Sequence, residues 1–426
     1  MRVAFYLDSI KKDIDYKNPG GLNPGIGGTQ FLICSMSYCL SQRDNGIEVI
    51  LFAPYGTDYS PDMDVMKVES IEECIRCSFE RKVDYLVLRG PYLKRETLKS
   101  ITKYNVKIIL WEHNFEDYNI ERIVNKCPQI VGNICVSLEQ RDLLLDSILY
   151  KKSKVINNGI NLEEYEVKVN EKNKTVCYVG SLLPYSGYDS FLKAWEIVQL
   201  KRDDIELCII GGNDLYNMDK LKNVYSKRSQ RKLKKLENRV LRNEKGDLKK
   251  NIRMTGVLGG YDKIDTMRKA SIGVANLRTE GETFGLVVVE FQALGIPVVS
   301  FNYRGVRNTV INNSSGDLVK SPKELAESIL SLLDNEKKRT EYGIYGKRFV
   351  RQRFEINKIA KEWETYFCDL KADEEEIYRE RFKYDSKMAI LINYRLKNVF
   401  PFLPSHLLYK RVLHVFKRVF QKMEII

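Results

Sequence analysis

Apolar residues along this chain fall into short β-branched and aromatic runs, separated by longer stretches in which apolar positions recur at helical spacing. The runs Val3–Leu7, Glu48–Phe52, Tyr85–Leu88, Val106–Leu110 and Ile130–Val136 read as strands. Thr29–Ser41, Ile71–Arg81 and Glu139–Leu149 lie among them and read as helices. After residue 170 the pattern restarts. Thr175–Val179, Glu206–Ile210, Ile252–Thr255, Ile272–Ala275 and Pro297–Phe301 have strand character, and Asp189–Leu200, Lys263–Ala270, Phe284–Leu294 and Pro322–Leu333 have helix character. Strands alternating with helices predict a parallel sheet covered on both faces. Two such series predict an α/β chain of two Rossmann-like, doubly wound domains facing each other across a cleft. Ligands of such sheets bind beyond the carboxyl ends of the strands. The expected divisions are 1–160, 161–353, a helix over 354–370 crossing back to the first domain, and a helical tail over 371–426. The polar segment Asn161–Asn173 carries the boundary between the two halves.

Composition adds where the charge lies. The chain has 426 residues, 43% of them hydrophobic, enough for two cores. Its net charge of +13 is concentrated in two places. Residues 217–253 hold fourteen Lys and Arg against four acids, and residues 387–426 hold eight against one, so the remainder is mildly acidic. That distribution argues against a nucleic-acid binder with a basic face throughout. The first basic stretch, Asn217–Leu248, is expected to form a long exposed helix. In the second, from Leu407 onward, Leu408, Val412, Val415, Phe416, Val419 and Phe420 share one helical face, with Lys410, Arg411, Lys417, Arg418 and Lys422 largely elsewhere. An amphipathic basic helix of this kind predicts contact of 387–426 with an anionic membrane surface. A short apolar N-terminal run without a cleavage site, and an odd number of cysteines (nine), predict a cytoplasmic protein peripheral to the inner face of the membrane. Cys74-Ile-Arg-Cys77 lacks a second pair at metal spacing and is expected on a plain helix surface. Asp13-Ile-Asp15 and Asp62-Met-Asp64 lie in polar loops, and no metal or cofactor is expected.

Two segments carry candidate chemistry. Pro24-Gly-Ile-Gly-Gly-Thr-Gln30 joins the first strand to the first helix, where its backbone N–H groups and the helix N-terminus suit an anion. The stretch Thr279-Glu-Gly-Glu-Thr-Phe-Gly-Leu-Val-Val-Val-Glu290 runs from a strand end into a helix. Glu282 stands at the helix entrance and Glu290 about two turns on, among valines. A carboxylate in an apolar helix needs a partner, and a ribose diol supplies two hydrogen bonds. The plainer reading is a helix cap at Glu282 and a salt bridge at Glu290.

This segment resembles the acidic motif of glycosyltransferase family 4, whose members are retaining enzymes of GT-B fold. Gly27-Gly28, Trp111-Glu-His-Asn114, Asn157-Asn-Gly-Ile160, Tyr178-Val-Gly-Ser-Leu-Leu-Pro184 and Met254-Thr-Gly-Val-Leu258 resemble further motifs of the family in the same order. The similarity spans about residues 1–370. It implies a nucleoside diphosphate sugar as donor, a lipid-linked or glycan acceptor, and no metal. Gly28, beside Gly27, would donate its N–H to the donor phosphate, and Glu282 would bind the donor sugar's hydroxyls. The backbone of Thr283, Phe284, Gly285 and Leu286 would cradle sugar and phosphate. Glu290 would hold the ribose, Leu258 and Lys263 would lie near the base, and His113 would face the sugar from the other domain.

One departure bears on activity. The family carries an arginine and a lysine on the diphosphate where this chain has Ser181 and Ser186. Losing two such cations costs several kcal/mol of leaving-group stabilisation. Arg278, then Arg304 and Arg307, are the candidate replacements. The alternative is a catalytically weak or silent subunit that binds and stabilises a partner glycosyltransferase.

Overall fold

The computed structural model describes residues 1–8, 16–55, 58–166, 174–183, 186–212, 227–277, 281–371, 388–400 and 402–413. The apolar runs become strands of two sheets whose pairs are all parallel. The first sheet contains β1 (Arg2–Tyr6), β2 (Glu48–Ala53), β3 (Asp64–Lys67), β4 (Tyr85–Leu88), β5 (Ile108–Glu112), β6 (Ile130–Cys135) and β7 (Ser153–Val155), in the order β3-β2-β1-β4-β5-β6-β7. The second contains β8 (Thr175–Val179), β9 (Glu206–Ile210), β10 (Ile252–Gly256), β11 (Ile272–Ala275), β12 (Val298–Phe301) and β13 (Gly316–Val319), in the order β10-β9-β8-β11-β12-β13. Alternate side chains of one strand enter different cores: Val3 and Phe5 lie on one face of β1, Ala4 and Tyr6 on the other. A strand buried on both faces has no polar side, which is why these segments read as continuous apolar runs.

Helices α1 (Gly28–Ser41), α2 (Ile71–Glu80), α3 (Arg95–Tyr104), α4 (Tyr118–Lys126) and α5 (Leu138–Asp142) belong to the first sheet. Helices α6 (Tyr188–Lys201), α7 (Lys227–Leu241), α8 (Gly260–Met267), α9 (Leu286–Ala293), α10 (Val306–Thr309), α11 (Pro322–Asp334) and α12 (Glu336–Arg353) belong to the second. Then come α13 (Ile356–Lys371), α14 (Met388–Val399) and α15 (residues 406–413). Helix α13 returns to the first sheet. Trp363 packs edge-on against Trp111 at 5.1 Å and Phe5 at 5.9 Å, and Glu364 and Asp369 pair with Arg43 and Lys154.

Several expectations are corrected. The helix expected over Glu139–Leu149 stops at Asp142 and continues as tight turns, because its leucines are covered from two sides. Leu144 faces the first core while Leu143 and Leu145 face Ile390 of α14, so no single helical stripe is required. Strand β5 extends past Leu110 to Glu112, which puts His113 directly at a strand end. Cys74 and Cys77 are not on a helix surface. Both are buried between α2 and the sheet, where a thiol packs as a small hydrophobe. The basic insertion is helical only over Lys227–Leu241 within the described residues. The chain then turns through Gly246, at φ 86°, to bridge Arg242 with Leu248. Asp64, expected in a loop, begins edge strand β3. Asp13 and Asp15 lie outside the described residues.

Candidate functional site

The strand order reverses between β1 and β4 and again between β8 and β11, so each sheet opens a crevice at those carboxyl ends. The two crevices face each other. Gly260 N–H donates to Asn23 O at 2.7 Å, Thr283 Oγ1 donates to His113 O at 3.0 Å, and Glu139 N–H donates to Asn308 Oδ1 at 3.2 Å. At the centre, the first turns of α1 and α9 meet. A Cβ on Gly28 would lie 3.8 Å from Leu286 Cδ2. Gly27 and Gly285, the residues before these helices, have no side chain to cap them, and neither first turn contains an acid. Two helix N-termini therefore converge, each with the partial positive charge of its N–H groups.

The loop entering α9 is held from several directions. Glu282 Oε1 accepts from Gly285 N–H at 2.8 Å and Phe284 N–H at 3.2 Å, and Oε2 accepts from Asn276 Nδ2 at 2.8 Å. Both oxygens are engaged inside the loop, which is the capping role. Thr309 Oγ1 donates to Phe284 O at 3.0 Å, and Gly305 N–H to Glu282 O at 3.0 Å. Gly285 takes φ 90°, a conformation that disfavours any side chain.

Glu290 is 2% exposed. Lys263 Nζ donates to its Oε2 at 2.5 Å, and Tyr165 Oη donates to its Oε1 at 3.3 Å. Burial, then the adjacent carboxylate, pushes the Tyr165 phenol well above its ordinary range and keeps it a donor. The partner that sequence reasoning sought in a ribose is thus present in the protein. A carboxylate has about four lone-pair sites, and the hydrogen bonds from Lys263 and Tyr165 occupy two. Leu258 packs on the core shared by both sheets, one residue before the contact of Gly259 with Gly25.

The candidate cations are placed as follows. Ser186 Oγ donates to Ser181 O and to Leu183 O, the latter at 2.7 Å, so this hydroxyl closes its own turn. Arg278 lies outside the described residues. Arg304 and Arg307 each reach a Glu139 oxygen at 3.7 Å, and Arg307 also donates to Asn302 Oδ1 at 2.9 Å and Asn302 O at 3.0 Å. These two arginines are spent on a clamp between the two halves.

The His113 ring lies 4.7 Å from that of Trp111, tilted by 51°. Burial, then the positive charge of Arg89, pushes its pKa down to about 3, so the ring is neutral at physiological pH. Sequence reasoning missed its neighbours. Arg89, at the end of β4, donates from Nη1 to Tyr92 Oη at 3.1 Å and lines a narrow crevice with Trp111 and Ile33. Glu112 is buried at the end of β5. Burial, then the charge of Glu116, raises its carboxyl well above the ordinary range. The signal available beforehand was position alone: polar residues at carboxyl ends of strands flanking the reversal point.

Burial also raises Glu116 from 4.5 to about 7. A carboxyl whose pKa is raised by folding contributes stability that is complete below about 4.5 and is lost as pH rises through about 7. Glu116→Gln keeps an acceptor for Asn133 Nδ2, 3.3 Å away in the parent. The variant should therefore gain thermal stability over the parent as pH rises from about 4.5 to 8, and differ little below. Parallel melting curves that keep a constant gap across that range would contradict this.

Known proteins resemble this chain in sequence and in fold. Residues 162–349 match the family described as Glycosyl transferases group 1. An uncharacterized glycosyltransferase of Methanocaldococcus jannaschii is 26% identical over 266 residues, 59% of this chain but only 62% of its own length. CapM of Staphylococcus aureus, a capsular polysaccharide biosynthesis glycosyltransferase, is 25% identical over 306 residues, 68% of this chain and 70% of its own. The solved structure of Anabaena HepE in complex with UDP-glucose superposes with a TM-score of 0.66 at 15% identity, covering 87% of this chain and all of that one, a likeness of fold. Residues 162–349, with the second sheet at their centre, are thus a domain of the group 1 glycosyltransferase family within a chain of GT-B fold.

Proposed function

We propose that this protein is a retaining glycosyltransferase of family 4, acting in surface glycan biosynthesis. It transfers a hexose-type sugar from a nucleoside diphosphate sugar to a lipid-linked or polysaccharide acceptor. The observation that carries the proposal is the convergence of two helix N-termini, at Gly28 and Leu286, with no acid in the first turn of either. That arrangement suits a diphosphate with no metal to balance it. The nucleoside then runs toward Glu290 and Lys263, and the sugar toward Glu282, Thr283 and His113. The bond from the anomeric carbon to the phosphate oxygen breaks. The acceptor oxygen bonds to the same face, and its proton passes to the departing phosphate. Neutral His113 acts by positioning, through hydrogen bonding to the sugar. The names of CapM and of the UDP-glucose complex of HepE support the substrate class. We place the protein in the cytoplasm, at the inner face of the membrane.

A second reading, a silent subunit supporting a partner glycosyltransferase, is favoured by Ser181 and Ser186, which put no positive charge in the first turn of the second half. Melting curves with UDP, GDP, ADP and their sugars separate the two. A donor at a hundred times its dissociation constant should stabilise the protein by about 2.7 kcal/mol. The product of that donor should keep its anomeric configuration by NMR. A protein stabilised by no nucleotide, with no sugar released or transferred, would overturn the first reading in favour of the second.

A further inference from the structure

The described residues expose sixteen large hydrophobic side chains, and nine of them lie between Ile392 and Leu413. That segment is fastened to the first domain. The Asp146 carboxylate accepts from Asn393 Nδ2 at 2.6 Å and from His406 N–H at 2.7 Å, and it pairs with His406 Nδ1 at 2.6 Å. Burial is the largest single influence and raises this carboxyl, but the contacts of His406 and Asn393 together outweigh it and hold it below its usual range. Lys397 Nζ caps Asp146 O at 2.7 Å, Ser405 donates to buried Glu121, and Arg411 donates to Asn119 Oδ1 at 2.7 Å. Ile390 and Leu407 enter cores of the first domain. The helix expected from Leu407 onward is present within the described residues as α15, preceded by α14, and Leu407 itself faces inward. Residues 414–426, which carry the rest of that pattern, lie outside the described residues.

What this unit turns outward is apolar and aromatic at its tip. Val399 is 68% exposed, Phe402 81% and Leu413 61%, with Phe400 packed edge-on against Phe402 at 5.9 Å. Residues 388–413 contain Arg395, Lys397, Lys410 and Arg411 and no acid. A protruding aromatic turn with only basic charge around it matches an anionic headgroup layer. Segments that lie in a headgroup layer combine Lys and Arg with Phe and Leu in this way. The unit also sits behind the loop that follows His113. Phe115 packs with Leu143, Leu145 and Ile390 and has the Arg304 guanidinium 5.5 Å from its ring.

We propose that α14, α15 and the turn between them form a lipid-docking unit, which sets the His113 side of the cleft against an anionic bilayer so that a lipid-carried acceptor reaches it from the membrane plane. The docking stands on the tail alone; only the acceptor rests on the glycosyltransferase reading. The test uses the full chain, sedimented with vesicles of phosphatidylcholine alone or with about 30% phosphatidylglycerol. The parent should bind the anionic vesicles and release them at high salt. The triple variant V399S/F400S/F402S should lose at least tenfold in partitioning, while its stabilisation by the parent's best nucleotide is unchanged. That second measurement shows the variant folded and keeps a failure of docking distinct from a failure of donor binding. Equal sedimentation of variant and parent would overturn the proposal. So would a lipid-free parent that is dimeric while the variant is monomeric, since a second copy would then be what covers the tip.

Discussion

Glu290→Ala is expected to weaken nucleotide binding by at least a hundredfold. The carboxylate is anchored by Lys263 at 2.5 Å and Tyr165 at 3.3 Å, so it stands ready before any ligand arrives, with lone pairs remaining for two ribose hydroxyls. Hydrogen bonds to a charged acceptor contribute about 1.5–3 kcal/mol each. Two of them correspond to about 3–6 kcal/mol of affinity, and every 1.4 kcal/mol is about tenfold. The substitution also strands the Lys263 ammonium, and breaking a buried pair from one side costs about 3–5 kcal/mol of stability. Affinity must therefore be read on folded protein. Glu290→Gln separates the effects, because it keeps shape and one acceptor oxygen while removing the charge. It should stay folded and still bind the nucleotide at least tenfold more weakly by calorimetry. Wild-type affinity in a folded Glu290→Ala or Glu290→Gln protein would remove Glu290 from the site and leave the Lys263 pair as a purely structural salt bridge.

That pair marks where the sequence stops being informative. The spacing of Glu282 and Glu290 within one apolar helix is local, and so is the glycine-rich turn before α1; both could be read along the chain. Lys263 lies 27 residues from Glu290 in sequence, and only the fold brings the two side chains together. Arg89 and Glu112 are hidden in the same way. Each looks like an ordinary polar residue after a strand until the order β1-β4-β5 sets those strand ends side by side. Strands buried on both faces were legible from their apolar runs, whereas β3, β7 and β13 were not. They are edge strands of three or four residues with polar members such as Asp64, Ser153 and Asp317, too short to show a period. The tail shows the same limit. Leu407 and Leu408 are alike in sequence, yet only Leu407 is fully buried, because Ser405 and His406 fix the start of α15 on Glu121 and Asp146.

Gly259→Ala is expected to cut kcat/KM about a hundredfold while leaving the melting temperature close to that of the parent. Gly259 has φ −132°, so the backbone tolerates alanine, and the obstacle lies across the cleft. The added Cβ would stand 2.2 Å from Pro24 C and 2.4 Å from Gly25 N, both backbone atoms. The opposing loop cannot give way easily, since Asn23 Oδ1 accepts from Gly25 N–H and Ile26 N–H at 2.9 Å each. The two halves must instead part by about 1 Å to restore an ordinary contact of about 3.5 Å. Gly259 is half-buried at the rim of both cores, so few apolar contacts go with it and stability changes little. The separation falls instead on the meeting point of α1 and α9, where a Cβ on Gly28 would lie 3.8 Å from Leu286 Cδ2. A displacement of about 1 Å at a reacting centre can cost about a hundredfold in rate, because the field of each helix end decays within its first turn. Donor affinity should fall much less, since Glu290, Lys263 and the loop from Glu282 all belong to the second half. A large loss in turnover with modest loss in donor binding would mean that the closed cleft is the reactive arrangement. Unchanged kinetics would mean that the diphosphate is held by the second half alone, and that the glycine-rich turn before α1 serves only to let the two halves meet.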